Sequence, residues 1–109
     1  LMRKMLEKFL TISKSTSNEV LTIHLRIAGC RSLKEKRSAL KPLLARLQRE
    51  FNVSAAELDF HDRWQEAIIG CCQLSNDSRH NQRSLQKMIA WIEKYYPHLE
   101  IVDDQIELI

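Results

Sequence analysis

The stretch "VLTIHLRIAGCRSLKEKRSALK", residues 20–41, changes its hydrophobic period halfway along. In its first half Leu21, Ile23, Leu25 and Ile27 alternate with Thr22, His24 and Arg26. A period of two places the two sets on opposite faces of a strand, one of them apolar and buried. Gly29 breaks the run. Ser32 and Glu35 then form an S-x-x-E pair, the signature of a capped helix start. From there Leu40, Leu43, Leu44, Leu47 and Phe51 recur at helical spacing. Pro42 lies inside this helix, where it removes one hydrogen bond and crowds the carbonyl of Ser38. A kink or a split is therefore expected.

The remaining elements follow outward from this strand and helix. "NVSAAELDF" (52–60) and "WQEAIIGCCQL" (64–74) read as two further strands, and the short "HDR" between them predicts a hairpin. "SND" (75–77) supplies cap residues for a second helix with an apolar stripe of Leu85, Met88, Ile89, Ile92 and Tyr96, stopped at Pro97. "LEIVDDQIELI" (99–109) is the last strand. The order βαββαβ predicts an α+β, ferredoxin-like domain over residues 20–109, an antiparallel sheet with two helices on one face. Residues 1–19 read as a separate extension, a short helix on Met2, Met5, Leu6 and Phe9 or a flexible tail, closed by the linker-like "SKSTSN".

The total of 109 residues fits one domain with a single small core. The net charge of +3 hides a division: residues 20–51 hold eight Lys/Arg against two acids, and residues 52–109 hold five against ten. The chain is polarised rather than basic throughout. Three cysteines, two of them adjacent, show no metal-ligand spacing, so neither a disulfide framework nor a zinc site is expected. No apolar run has membrane-spanning length, and residues 1–19 lack the apolar core of a signal peptide. A reducing cytoplasm is the expected location.

"SLKEKR" (32–37), "FNVS" (51–54) with "AE" (56–57) and Asp59, Asp62 with "WQ" (64–65), Ala67 and Gly70, and "SND" (75–77) occur in that order. Together they resemble the YlxP family of small bacterial proteins, over roughly residues 20–108. The resemblance implies a ferredoxin-like fold. The family's genes often neighbour translation-initiation and ribosome-maturation genes, which implies an RNA-related setting. Residues 1–19 depart from the family pattern.

Lys34, Arg37 and Lys41 fall within about a sixth of a turn on the first helix. Arg46 and Arg49 extend the basic surface, and such a strip can track a phosphate backbone. The plainer alternative is a solvated helix face. Lys36 shares the arc of Leu40, Leu43 and Leu47, so its stem is expected to pack towards the sheet while its amine reaches water or a carboxylate. A second candidate depends on topology. With the first and third strands read as adjacent and parallel, both helix N-termini meet at one sheet edge. Gly29, Arg31, Ser32 and Lys34 then approach Ser75, Asn76, Arg79 and His80 as an anion site. Ordinary capping is the alternative, and Asp77 opposes an anion there. Acylphosphatases share the βαββαβ order, but Arg31 and Asn76 echo them only loosely and a glycine-rich loop is absent.

His24 and Arg26 face away from Leu25, but the aromatic pair that stacks bases on an open RNA-recognition sheet is missing, with only Trp64 at the start of strand three. Strand three is apolar on both parities, so the second sheet face is expected to be covered by residues 1–12 or by a second subunit. Glu57, Asp59 and His61 share one strand parity near Asp62 and Glu66. They read as a polar hairpin end, placed at the edge away from Arg31. Cys30 lacks a neighbouring base, and Cys71 and Cys72 read as packing residues. The expectation is a cytoplasmic, non-enzymatic domain without metal or cofactor. It associates with RNA or a ribonucleoprotein through Arg31, Lys34, Arg37, Lys41, Arg46, Arg49, Asn76 and Arg79. The alternatives are an enzyme acting on phosphate esters or acyl phosphates at the two helix N-termini, and a homo-oligomeric assembly module.

Overall fold

A computed structural model describes the backbone of residues 17–75 and 78–108, and the side chains of residues 19–73 and 82–107. The elements are β1 (Ser17–Arg26), α1 (Leu33–Phe51), β2 (Ser54–Asp59), β3 (Glu66–Ser75), α2 (Ser78–Tyr95) and β4 (Glu100–Leu108). They form a four-stranded sheet in the order β2-β3-β1-β4, with every neighbouring pair antiparallel. The predicted α+β, ferredoxin-like arrangement is present. β1 begins at Ser17, so the boundary drawn after residue 19 falls within this strand.

The period-two reading of β1 sets the layers. Leu21, Ile23 and Leu25 are fully buried on one face. Ala67, Ile69 and Cys71 of β3 lie opposite Leu25, Ile23 and Leu21. Leu40, Leu43 and Leu47 of α1 and Leu85, Met88 and Ile92 of α2 close over them as one cluster. The helices therefore cover a single face. The α1 helix ends at Asn52, whose φ of 52° gives the left-handed cap that asparagine tolerates.

Pro42 does not split α1, which runs 19 residues without a break. Pro42 is exposed, so the amide it lacks leaves the Ser38 carbonyl on the solvent side of the helix, where the lost bond costs least.

On the other sheet face Val20, Thr22, Ile68 and Cys72 are also buried. The expectation that residues 1–12 cover this face falls outside the described residues. Gly70 lies on the same side, opposite Thr22 and Ala56. A Cβ at Gly70 would collide with the Leu58 side chain. The missing Cβ is thus what lets the buried Leu58 seat against β3. Gly70→Ala is expected to destabilise the domain by about 1–3 kcal/mol through overpacking. In a Leu58→Ala background the same change should cost far less. Urea unfolding of the two single variants and the double variant measures the coupling.

Candidate nucleic-acid interface

The α1 start is closed as its sequence predicts. Ser32 Oγ accepts the Glu35 amide at 3.1 Å, and Glu35 Oε2 accepts the Arg31 amide at 2.7 Å. One first-turn amide, Glu35, and the Arg31 amide just before the cap are therefore already occupied, which weakens the helix start as an anion site. Beyond the cap, Lys34, Arg37 and Lys41 are all exposed. With Ser38, Pro42 and Ala45 they line a shallow groove of about 550 Å³. Among the described residues no ion pair involves any of the three. Arg37 and Lys41 also rim a second groove of about 540 Å³ towards the edge strand β2, with Leu40, Leu44 and Ala55 in its lining.

Arg49 is exposed and likewise free of an ion pair among the described residues. Arg46 is placed differently. Its guanidinium lies 4.9 Å from the Trp91 ring centre, 5.5 Å from Tyr96 and 5.7 Å from Tyr95, and it donates to Tyr96 Oη at 3.3 Å. It ties α1 to α2 and its C-terminal turn rather than extending the free strip.

Lys36 packs inward as expected, and further than its spacing alone implies. It is 2 % exposed. Its Nζ donates to the Phe60 carbonyl at 2.7 Å and stands 2.6 Å from Glu57 Oε2. The second contact is a charge pairing without hydrogen-bond alignment, since Oε2 is buried and has no hydrogen-bond donor. These contacts correct the position of the hairpin. Gln65 Nε2 also donates to the Cys30 carbonyl at 3.3 Å, and the Ile27 amide donates to Gln65 O at 2.8 Å. The β2–β3 loop therefore adjoins the α1 start instead of lying at the far edge. Nor do Glu57 and Asp59 share a face. The register shifts between them, so Glu57 opposes Ile69 and Asp59 opposes Ile68, residues on opposite sides of β3. Asp59 Oδ1 instead accepts the Phe60 amide at 2.8 Å.

The convergent anion site is overturned. β1 and β3 are adjacent but antiparallel, with Ser17 opposite Ser75 and Arg26 opposite Glu66. Each βαβ crossover skips one strand, so the strand between must run the other way. α1 starts beyond Arg26 and α2 beyond Ser75, at opposite ends of a ten-residue pairing roughly 30 Å long. Arg31 cannot meet the start of α2. Arg79 lies in the first turn of α2, its side chain outside the described set, and Asn76 is outside the described residues altogether.

Polar groups on the sheet face away from the helices pair with one another. His24 Nε2 and Glu66 Oε1 are 2.9 Å apart, Arg63 contacts Glu66 Oε2 at 2.9 Å, and Arg26 contacts Glu100 at 2.9 Å. The His24 hydrogen bond, followed by that of Arg63, holds the Glu66 carboxyl below its ordinary range. Cys30, Cys71 and Cys72 are free thiols and buried. Burial, with the neighbouring Cys72, pushes the Cys71 thiol up to about 12, and burial pushes Cys72 up to about 11. Neither is a nucleophile at neutral pH.

A protein-family model described as "Protein of unknown function (DUF503)" matches residues 19–106. The chain is also 39% identical over 69 residues to "Uncharacterized protein YlxP" of Bacillus subtilis (strain 168), covering 63% of this chain and 74% of the relative. The resemblance read from the ordered motif blocks is thus confirmed.

Two outcomes test the geometry. Lys36→Met is expected to cost about 2–4 kcal/mol, because it leaves the partly buried Glu57 carboxylate without its cation. Adding Glu57→Gln should restore part of that loss in urea unfolding. For Glu66 the folded carboxyl titrates lower than the unfolded one, so its stabilisation is present above the ordinary carboxylate range and is lost as pH falls through the folded value. Glu66→Gln should therefore lower the melting temperature at neutral pH, with the difference shrinking below about pH 4.5.

Proposed function

The chain belongs to the DUF503 family, and for this member we propose a non-enzymatic role in which the outward strip of α1 binds RNA phosphates. The observation that carries this reading is the set Lys34, Arg37 and Lys41. The three cations are exposed, share one groove and have no ion pair among the described residues. Elsewhere His24, Arg26, Arg63 and Lys36 each meet a carboxylate. A cation that neutralises no group of its own protein is available to neutralise a phosphate and release its counterion. Arg49 lies further along the same helix, and Arg31 precedes it. The occupant is RNA or a ribonucleoprotein, in the translation-related setting that the family resemblance implies. Buried free thiols support a reducing cytoplasm as its location.

Among the described residues, no helix is long and apolar enough to cross a membrane. The acidic residues do not argue for an enzyme either: Glu57 is matched to Lys36 and Glu66 to His24 and Arg63.

Replacing Lys34, Arg37 and Lys41 together by Gln tests the reading. Affinity for a labelled A12 RNA, measured by anisotropy against salt, should fall. The logarithmic salt slope should shrink by about 0.7 for each phosphate that is no longer neutralised. Thermal unfolding should change by under about 0.5 kcal/mol, since the side chains face water. An unchanged slope would reduce the strip to a solvated helix face.

A further inference from the structure

We propose that Trp64, presented by the β2–β3 loop, is a base-stacking residue, and that the RNA bound by the strip is single-stranded. The inference rests on the phosphate-strip reading and adds to it a recognition residue outside α1.

Three large apolar side chains among the described residues are conspicuously exposed: Trp64 at 53 %, Tyr95 at 48 % and Val102 at 40 %. Tyr95 already has neighbours on its ring, Trp91 at 5.3 Å and the Lys94 ammonium at 5.2 Å. Val102 is the extra residue of a bulge in β4. Trp64 has no ring, cation or hydrogen-bond partner among the described residues. Its side chain is about half exposed and meets no ring or cation among the described residues.

The loop that carries it is fixed on both sides. Before it, Arg63 contacts Glu66 at 2.9 Å and lies 3.9 Å from the Phe60 ring centre, while its amide donates to the Phe60 carbonyl at 2.9 Å. Phe60 adopts a φ of 63°, a left-handed conformation that a bulky residue rarely takes. The same Phe60 carbonyl accepts Lys36 Nζ, which secures the conformation from the side of α1. After it, Gln65 donates from its side chain to Cys30 O and accepts the Ile27 amide at its carbonyl. The residues on both sides of Trp64 are thus tied to the fold while its own side chain stays exposed.

Position supplies the ligand chemistry. The Gln65–Cys30 bond sets this loop beside the segment that leads through Arg31 into Lys34. An exposed aromatic on a loop that contacts the segment entering a cationic helix is a combination suited to single strands, with phosphates on the cations and a base on the ring. A duplex keeps its bases stacked inside and offers the ring nothing.

Labelled A12 RNA and a 12-base-pair RNA duplex are the probes, and anisotropy against salt is measured for the wild type, Trp64→Leu, Trp64→Phe and the triple Gln variant. For A12, Trp64→Leu should bind about 5- to 150-fold more weakly with an unchanged salt slope, the loss of one stacked base. Trp64→Phe should retain most of the affinity. Duplex binding should not depend on residue 64, and A12 should quench tryptophan emission in the wild type but not in Trp64→Leu. If Trp64→Leu binds A12 as the wild type does while the triple variant loses slope, stacking is overturned and the strip stands. Equal losses for A12 and duplex would assign Trp64 a structural role and overturn the proposal. Absence of binding by the wild type to either probe would overturn both readings.

Discussion

One buried cation holds the two halves of the first βαβ unit in register. Lys36 projects from the first turns of α1, and its amine ends between the Phe60 carbonyl and the Glu57 carboxylate. A lysine removed from water needs both a countercharge and a hydrogen-bond acceptor, because desolvation alone costs several kcal/mol. β2 provides the first and the loop after it the second. The pairing therefore holds α1 against β2 and the hairpin loop. It also secures the positive φ at Phe60, from which the geometry of Arg63, Trp64 and Gln65 follows.

The same helix sorts its cations by angle. At about 100° per residue, Lys36 turns to the core, Arg46 turns to α2, and Lys34, Arg37 and Lys41 turn outward. Each group then meets a different partner. Lys36 meets a carboxylate, Arg46 meets the rings of Trp91, Tyr95 and Tyr96, and the outward three meet only solvent among the described residues. Local basic density is thus a poor guide to function. What matters is which charges the fold leaves without a partner.

Two bulges shape the sheet's edges. In β2 the shift between Glu57 and Asp59 sends one carboxylate to Lys36 and the other to the loop backbone. In β4 the shift beside His24 turns Val102 outward and leaves Asp103 and Asp104 exposed. Both lie on edge strands, where an irregular ladder discourages pairing with another chain.

Much of the fold was legible in residues 20–41, because hydrophobic period and capping are local properties. Alternation in β1, the Ser32–Glu35 cap and the leucine stripe of α1 each concern residues a few positions apart, and each appears as read. The inward lean of Lys36 was legible for the same reason. Its partners were not, because Glu57 and Phe60 are 21 and 24 residues away and only the crossover brings them near. Strand direction was misread for another reason. The direction of β1 against β3 leaves no mark on either strand's own pattern, yet the βαββαβ order with each crossover skipping one strand already requires them to be opposed, which puts the two helix starts at opposite ends of the sheet. The β2 bulge likewise leaves a sequence of ordinary parity, and it is seen only when Leu58 fits against a glycine on the next strand. The sequence alone determined which residues turn inward or outward on each element. Tertiary structure decided which of them meet, because pairing energies depend on distances that only chain crossing and strand direction set.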